Sequence, residues 1–366
     1  MEQVMERVCN FGAGPGAIPL AALERAKQEF TNFAGTGKSV METSHRSEEY
    51  AGLHEECQER FKRLIGAGDD FQVLFFGGGA TTQFALLPMN MLSDGDSAEY
   101  VVTGNWSKKA IDEAKKVGQG SPKVAASSED DHFSFIPGYE DWSVSSASKY
   151  IHITSNNTIS GTQFPSFEKQ RVTLVADMSS DVLSRPINLD PFSLIYAGAQ
   201  KNLGPAGVTI VLIRKTFLEQ ASDNLPLMLS YKAQAAKRSL LNTPPCFNIY
   251  MVNQVLHWLE DLGGVDAIHA QNTKKSDLLY DMIDKYGDFY RCPVRKSSRS
   301  RMNIVFRLPS TDLEKRFIES AKAAGMIGLK GHRSVGGIRA SIYNAAELPW
   351  VEKLVQFMED FRKKEA

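Results

Sequence analysis

One lysine in this sequence occupies a position where an amine could do covalent chemistry. Lys201 comes soon after the apolar run 193–197, and the glycine-containing stretch 204–207 separates it from the next apolar run. A lysine amine can form a Schiff base with a carbonyl cofactor, and burial or a nearby cation lowers its pKa so that the free amine is available. Because most lysines are solvated surface residues, position alone leaves both interpretations open.

Asp177 directly follows another very apolar run, residues 172–176. In an open α/β sheet, ligands bind at the edge formed by the carboxyl ends of the strands. A carboxylate buried there needs a cationic partner or a metal ion, and a protonated pyridine nitrogen is one suitable cation. A helix N-cap or a structural ion pair is the simpler alternative for this residue.

Three glycines, residues 77–79, separate an apolar run from a helix-like segment, and Ala80 and Thr81 follow them. Backbone N–H groups at such a turn, together with the dipole of the following helix, favour a phosphate. No Gly-Lys-Ser/Thr follows, which excludes a P-loop. The turn therefore predicts either an anion site or only a tight connection between strand and helix.

A second glycine-rich stretch, residues 12–17, formally fits the dinucleotide-binding pattern G-x-G-x-x-A. That fingerprint needs a strand before it and a helix that begins at its last glycine. Only eleven residues precede this stretch, and Pro19 starts the helix later. We therefore favour an entry loop ahead of a helix at 20–30, which can still border an active site.

Basic residues occur in pairs on two loop-like stretches, His45 with Arg46 and His332 with Arg333, and Arg339 lies in a later strand-like run. Guanidinium groups bind phosphate and carboxylate in bidentate fashion. In a chain of formal net charge -1, these residues favour a local site for dianionic ligands. Surface solvation is the alternative for each pair taken separately.

The hydrophobic pattern predicts the scaffold that must position these residues. Short apolar runs typical of buried strands alternate with segments of helical spacing, which indicates an α/β sheet that is mostly parallel. The predicted strands are 72–76, 99–103, 150–154, 172–176, 193–197 and 208–213, and the predicted helices include 82–92, 106–117, 247–262 and 265–286. After a boundary near residue 264, strands at 302–308 and 337–343 with helices at 312–324 and 348–362 predict a small α+β domain.

Composition limits the classes of protein that fit. The length of 366 residues favours two domains and a core large enough to house a cofactor. Lys and Arg number 42 against 43 Asp and Glu, which removes the broad positive surface expected of a nucleic-acid-binding protein. No apolar run approaches the length of a membrane span, and no CxxC pair predicts a metal site. Four scattered cysteines and the lack of a secretory signal predict reduced thiols in the cytoplasm.

Several of these motifs occur together in one known family. From about residue 9 to the C-terminus, the chain resembles the phosphoserine aminotransferases, which are fold-type I, class V pyridoxal phosphate enzymes. The motifs that carry the resemblance are residues 10–16 with Pro19, 44–47, 77–80, 176–180, 199–207, 242–245 and 331–344. The stretches 199–207 and 331–344 are specific to this family, whereas the glycine turn is not.

The resemblance implies both a fold and a reaction. Residues 1–264 would form a large cofactor-binding domain with a mostly parallel seven-stranded sheet flanked by helices, and residues 265–366 a small α+β domain. The reaction would be the reversible transfer of the amino group from L-glutamate to 3-phosphohydroxypyruvate, giving O-phospho-L-serine and 2-oxoglutarate in serine biosynthesis. The enzyme would be a homodimer whose cofactor site is shared across the interface.

The resemblance also assigns residues to the cofactor, pyridoxal phosphate. Lys201 would carry it as a Schiff base, and Asp177 would pair with its pyridine nitrogen. Trp106 would stack on the ring, and Thr158 would bond the ring hydroxyl. The cofactor phosphate would be bound by Ala80, Thr81 and Gln200, with Asn242 and Thr243 contributed by the other subunit.

A second set of residues is implied for the substrate. The substrate phosphate would be bound by His45 and Arg46, together with His332 and Arg333 from the partner subunit. Arg339 would bind the α-carboxylate. Thr81 departs from the pattern of some family members, which have at this position an arginine that adds to the phosphate site.

Other functions on the same fold are alternatives. An alanine–glyoxylate aminotransferase has a neutral substrate and would not need two His-Arg loops. A cysteine desulfurase needs a reactive cysteine on a loop before the C-terminal strands, and Cys292 has no such setting. A cofactor-free binding protein that keeps the fold is an alternative of a different class. The retention of Trp106, Asp177 and Lys201 together disfavours it.

Overall fold

The computed structural model describes residues 7–365. Its strands are β1 (Cys9–Asn10), β2 (Phe71–Gly77), β3 (Ser97–Val102), β4 (Ser121–Ser127), β5 (Ile151–Thr154), β6 (Leu174–Asp177), β7 (Phe192–Gly198), β8 (Val208–Arg214), β9 (Asn303–Phe306), β10 (Met326–Ile327) and β11 (Ile338–Ser341). Its α-helices are α1 (Leu20–Glu29), α2 (Glu48–Ile65), α3 (Ala80–Met91), α4 (Asn105–Val117), α5 (Lys215–Leu218), α6 (Tyr231–Ala236), α7 (Cys246–Asp261), α8 (Gly264–Lys285), α9 (Thr311–Ala323) and α10 (Leu348–Glu365).

Strands β2 to β8 form a central seven-stranded sheet in the order β2-β8-β7-β6-β5-β3-β4. Neighbouring strands are parallel, except that β8 is antiparallel to both β2 and β7. The mostly parallel seven-stranded sheet is therefore confirmed. Because β5, β6 and β7 lie side by side and run in the same direction, their carboxyl ends meet at one edge of the sheet.

Helices cover both faces of this sheet. Successive side chains of a strand point to opposite faces, so each strand contributes to a hydrophobic cluster on either side. On β2, Val73 and Phe75 pack into one buried hydrophobic cluster with side chains of α2 and α7. Leu74 and Phe76 pack into a second cluster with side chains of α3 and α4. Strands that are buried on both faces consist of continuous apolar runs, which is why the sequence reveals them.

The predicted strands and helices agree with the structure to within a few residues at each end, but the sequence does not predict β4, α2 or the short elements β1, β10, α5 and α6. Strand β4 lies at the sheet edge with most of its residues exposed, so it lacks an apolar run. Helix α2 does carry terminal signals. The side chain of Ser47 accepts a hydrogen bond from the backbone of Tyr50 at 3.4 Å, and Gly66 ends the helix in the left-handed conformation.

A separate hydrophobic cluster lies in the C-terminal part of the chain. It joins α9, α10 and the antiparallel pair β9–β11 to the second half of α8, where Leu279 and Ile283 are buried. The first half of α8 contributes Ile268 to a cluster of the central sheet. Strand β1 pairs in parallel with β10 and adds Cys9 to the C-terminal cluster. The division between residues 264 and 265 stays a prediction.

Residues 7–365 contain no helix with both the length and the apolar character that crossing a bilayer requires. Within the same part of the chain, no three His, Cys, Asp or Glu side chains are grouped so that they could hold a metal ion.

Candidate active site

A cavity of about 310 Å³ lies at the edge where the carboxyl ends of β5, β6 and β7 meet. Thr154 at the end of β5 is the sheet partner of Asp177 at the end of β6, and Gly198 ends β7. All three residues line the cavity, as does Lys201 in the loop after β7. The parallel direction of the strands thus brings Asp177 and Lys201 to one site.

The carboxylate of Asp177 and the amine of Lys201 shift each other's protonation in this cavity. Burial raises the pKa of Asp177, and the charge of Lys201 opposes that shift. Burial lowers the pKa of Lys201; the charge of Asp177 opposes this shift, and that of Arg339 adds to it. The site therefore holds a carboxylate that needs a cation beside an amine that loses its proton more readily than a surface lysine.

The glycine turn after β2 leads into the N-terminus of α3. Gly79 is the N-cap and no side chain caps this helix end, and Ala80 and Thr81 line the cavity. A Cβ atom on Gly198 would lie 3.4 Å from the backbone nitrogen of Ala80, so glycine at this position keeps the amide accessible. Uncapped N–H groups at a helix N-terminus favour the binding of an anion.

Trp106 and Arg339 converge on Thr158 from different parts of the chain. Nε1 of Trp106, in the first turn of α4, donates a hydrogen bond to Oγ1 of Thr158 at 3.0 Å. Nη1 of Arg339, on β11, donates to the carbonyl oxygen of Thr158 at 2.8 Å. Nε of Arg339 is buried and has no hydrogen-bond partner among the described residues. Strand β11 therefore brings a guanidinium with unused donor capacity to the cavity of the central sheet.

The N-terminal glycine stretch borders the cavity on the side of Lys201. Ala13 and Gly14 line it, and Oη of Tyr343 donates to the carbonyl oxygen of Ala13 at 2.7 Å. A Cβ atom on Gly14 would lie 3.5 Å from Nε2 of Gln200 and 3.8 Å from Cε of Lys201. The stretch precedes α1 as an entry loop, in agreement with the interpretation favoured from the sequence.

Most of the predicted site residues lie together. Those that line the cavity are Ala80, Thr81, Trp106, Thr158, Asp177, Gln200, Lys201, His332 and Arg339. His332 was expected to come from a partner subunit, yet it reaches the cavity of its own chain. A contribution of His332 to a partner's site stays a prediction.

Five predicted residues are not part of this lining: His45, Arg46, Asn242, Thr243 and Arg333. Asn242 and Thr243 line a separate cavity of about 250 Å³. His45 is buried, whereas Arg46 and Arg333 are exposed. One chain therefore does not assemble the complete predicted set in a single cavity.

The cavity is also lined by polar residues that the sequence did not identify as site residues. They are Thr154, Asn156, Ser179 and Ser180. Nδ2 of Asn156 donates to Oγ of Ser180 at 2.8 Å, and Oγ of Ser179 accepts from the backbone nitrogen of Gly198 at 3.0 Å. Their positions at or directly after the ends of β5 and β6 are the signal that could have identified them.

Comparison with known proteins relates this site to a family. A family model described as Aminotransferase class-V matches residues 8–354. Phosphoserine aminotransferase from Geobacillus kaustophilus is 51% identical over 360 residues, which cover 98% of this chain and 99% of that protein. The one from Desulfatibacillum aliphaticivorans is 54% identical over the same shares. The structure of phosphoserine aminotransferase from Bacillus circulans subsp. alkalophilus has a TM-score of 0.96 at 50% identity, covering 98% of this chain and 99% of that one.

The chain therefore belongs to the class-V aminotransferases and, within them, to the phosphoserine aminotransferase family. This confirms the predicted family, the fold class and the expectation of a pyridoxal phosphate-dependent aminotransferase. A structure of alanine–glyoxylate aminotransferase from Nostoc sp. has a TM-score of 0.77 at 15% identity. The likeness to that alternative is one of fold alone.

Proposed function

We propose that this chain catalyses the reversible transfer of the amino group from L-glutamate to 3-phosphohydroxypyruvate, giving O-phospho-L-serine and 2-oxoglutarate, as a step of serine biosynthesis. The observation that carries the proposal is the convergence of Lys201, Asp177 and Arg339 on one cavity at the carboxyl edge of the sheet. Identities of 51% and 54% with phosphoserine aminotransferases over nearly the whole chain support the same pair of substrates.

The donor groups of this cavity fit pyridoxal phosphate. The buried carboxylate of Asp177 suits a protonated pyridine nitrogen, because the cation would offset the cost of burying the charge. The uncapped amides of Ala80 and Thr81 suit a phosphate. The Lys201 amine suits an aldehyde, and Trp106 offers an aromatic face for the ring. We infer that these residues hold the cofactor, with Thr158 at the ring hydroxyl and Gln200 at the phosphate.

When bound, pyridoxal phosphate withdraws electrons from the α-carbon of the substrate and makes its proton acidic. Asp177 keeps the pyridine nitrogen protonated. Lys201 takes the proton from the substrate's α-carbon with Nζ, as a general base. A lysine of ordinary pKa would be protonated at neutral pH, so the burial that lowers the pKa of Lys201 is part of its function.

Arg339 binds the α-carboxylate, which both amino-acid substrates share. Its Nη1 is held by Thr158, and this contact orients the guanidinium toward the cavity. The pKa of His332 is lowered by burial, and the charges of Arg339, Arg333 and Lys109 add to the shift. These cations create a positive potential that suits the second anionic group of a phosphorylated or dicarboxylate substrate.

We also propose a homodimer in which each subunit completes the site of the other. The separate cavity lined by Asn242 and Thr243 also includes Met228, whose residue surface is 47% exposed, and the adjacent Leu227 is 65% exposed. Exposed apolar side chains of this size favour a protein interface. In a dimer, residues outside the cavity of their own chain, such as Asn242 and Thr243, are available to the partner.

Two proposals concern organisation. The first is a cytoplasmic location, which the thiols of Cys57, Cys246 and Cys292 support because they form no disulfide. The second is a division into a large domain, residues 1–264, and a small domain, residues 265–366. The separate hydrophobic cluster around β9 and β11 supports this division.

Half-reactions of the purified holoenzyme test the proposed substrates. The cofactor absorbance would be followed after mixing with O-phospho-L-serine, L-serine, L-glutamate or L-alanine. We expect phosphoserine and glutamate to react at least about a hundredfold faster than serine and alanine. Only the first two carry a second anionic group that can bind the cations of the site. Equal rates with serine and phosphoserine would contradict the proposed substrate. A protein that shows no borohydride-sensitive cofactor absorbance would instead favour the cofactor-free binding protein.

A further inference from the structure

A second basic cavity lies apart from the one that contains Lys201. It has a volume of about 510 Å³ and lies between α8 and the segments 163–165, 185–186 and 296–301. Its charged or titratable lining residues are Arg185, His269, Asp277, Tyr280, Lys296, Arg299 and Arg301. None of the residues assigned above to the cofactor, the substrates or the dimer lines it.

Two arginines of this cavity lack an acidic partner. Among residues 7–365, no carboxylate oxygen lies within 4.0 Å of a guanidinium nitrogen of Arg185 or Arg301, the distance that defines an ion pair. Arg185 donates to the carbonyl oxygens of Pro165 and Phe164, at 2.6 and 2.5 Å. Arg301 donates to the hydroxyl of Thr273. Neutral acceptors satisfy some of the donors, but neither guanidinium has a carboxylate at ion-pair distance.

The charge of Arg301 also acts on Arg185, and both guanidinium charges act on His269. Burial lowers the pKa of Arg185; the charge of Asp181 opposes that shift, and the charge of Arg301 adds to it. Burial lowers the pKa of His269; the charges of Arg301 and Arg185 add to that shift, and the charge of Asp266 opposes it. A positive electrostatic potential lowers the pKa of a cationic group, which is the direction of both shifts. A bound anion would relieve the potential.

The remaining charges leave this balance in place. Lys296 and Arg299 both pair with Asp284, at 2.9 and 2.7 Å, so their charges are already partly compensated. Asp277 is the acidic residue of the lining, and it is exposed. Asp181 and Asp266 act on Arg185 and His269 without forming an ion pair with them. Two arginines that lack an ion-pair partner, and a histidine, therefore face one solvated carboxylate in the lining. This arrangement favours a ligand with two negative charges.

We propose that this cavity binds a small organic dianion, a phosphate monoester or a dicarboxylate, between Arg185, Arg301 and His269. The planar donor fork of a guanidinium matches both phosphate and carboxylate. The cavity has room for more than an inorganic anion, and Phe164 and Tyr280 line it beside the basic groups. The organic part of the ligand packs against these aromatic side chains. The site is independent of the reaction proposed for the Lys201 cavity.

Equilibrium dialysis of the holoenzyme tests the proposal, with labelled inorganic phosphate in one arm and labelled succinate in the other, at about 0.15 M ionic strength. We expect binding of at least one of these anions that Arg301→Gln and His269→Gln each weaken about tenfold or more. Arg301→Gln loses a charge-assisted contact, and His269→Gln loses an imidazole whose protonated form a bound anion would favour. Circular dichroism would establish that each variant is folded. If Arg301→Gln fails to fold, His269→Gln carries the test.

Two further variants serve as controls. Lys322→Gln removes an exposed lysine of α9 that lines neither cavity, and should leave binding unchanged. Arg333→Gln removes a proposed contact to the substrate phosphate and should leave the second site intact. Binding of both anions to Arg301→Gln and His269→Gln at the wild-type level would overturn the proposal. Binding that only Arg333→Gln weakens would place the anion in the substrate site, and would reject the second site while supporting the proposed function.

Discussion

The indole nitrogen of Trp106 donates a hydrogen bond of 3.0 Å to the hydroxyl of Thr158, while the carbonyl of the same threonine accepts one from Arg339. A single residue after β5 thus orients both an aromatic ring and a guanidinium in the cavity. The ring comes from the central sheet region and the guanidinium from β11. The proposed contacts to cofactor and to substrate are therefore linked through Thr158.

Substitutions at Trp106 separate stacking from hydrogen bonding. Trp106→Phe keeps an aromatic face but loses the donor to Thr158, and Trp106→Ala loses both. We expect the dissociation constant of pyridoxal phosphate to rise less than about tenfold in the first variant and about ten- to a hundredfold in the second. Absorbance titration of the apoenzymes measures both constants. Equal weakening in the two variants would show that the ring does not stack on the cofactor.

Replacing Asp177 tests its electrostatic role. An amide cannot hold a pyridine nitrogen protonated, so we expect Asp177→Asn to lower kcat at least about a hundredfold. Asp181 is a suitable comparison, because it is also a buried carboxylate but does not line the cavity. Asp181 accepts hydrogen bonds from Ser155 and Gln163. Asp181→Asn should therefore lower the thermal midpoint, and it should lower kcat much less than Asp177→Asn does. An equal loss of kcat in both variants would count against the role of Asp177.

The strand ends explain which parts of the site could be predicted. Asp177 and Lys201 follow apolar runs that become adjacent parallel strands, so the sequence alone places them at one edge of a sheet. Arg339 reaches the same cavity from the C-terminal cluster. That approach depends on packing between distant segments, which residue spacing does not encode, and only the family resemblance assigned Arg339 to the α-carboxylate.

Other features could not be derived from local sequence for different reasons. Strand β4 is an exposed edge strand without an apolar run. Strand β1 pairs with β10, from the other end of the chain, which no local pattern reveals. Asn242 and Thr243 lie outside the cavity of their own chain. Their proposed roles require a second subunit, so neither local sequence nor a single chain can establish them.

Two arginine variants should affect the substrates differently. Arg339→Lys loses the bidentate fork that suits an α-carboxylate, so we expect KM to rise about ten- to a hundredfold for glutamate and phosphoserine alike. Arg333→Gln should raise KM for phosphoserine more than for glutamate, because it removes a proposed phosphate contact. Steady-state kinetics with each amino donor measures the four ratios. If Arg339→Lys affected phosphoserine alone, the assignment to the α-carboxylate would be wrong.

A buried histidine makes the stability of the protein depend on pH. Burial lowers the pKa of His54 to about 4, and its Nε2 lies 2.7 Å from the carbonyl oxygen of Arg238. In the unfolded chain this pKa is about 6.5, so the unfolded state binds more protons between these two values. The free energy of unfolding should therefore be fully retained above about pH 6.5 and fall as the pH drops toward about 4.

Urea denaturation at about pH 7 and about pH 4.5 checks this dependence. Between the two pH values, the free energy of unfolding of His54→Gln should fall by about 2 to 3 kcal/mol less than that of the wild type. The control is His257→Gln, since the side chain of His257 is 43% exposed, and it should lose as much stability as the wild type. An unchanged loss in His54→Gln would show that His54 does not titrate on unfolding in this range.

The central claim is that Lys201 carries the cofactor, and Lys275 is the informative comparison. Lys275 is fully buried, and burial lowers its pKa to about 7, so protonation alone would not distinguish it from Lys201. However, Lys275 does not line the cavity. Its Nζ donates to the carbonyl oxygens of Ile342, Tyr343 and Ala346, at 3.2, 3.0 and 2.9 Å.

Borohydride reduction of the holoenzyme, followed by peptide mass spectrometry, tests this claim directly because reduction fixes the cofactor to the lysine that holds it. We predict the added pyridoxyl mass on the peptide that contains Lys201, and none on the peptide that contains Lys275. A pyridoxyl group on Lys275 or on another lysine, with Lys201 unmodified, would contradict the account.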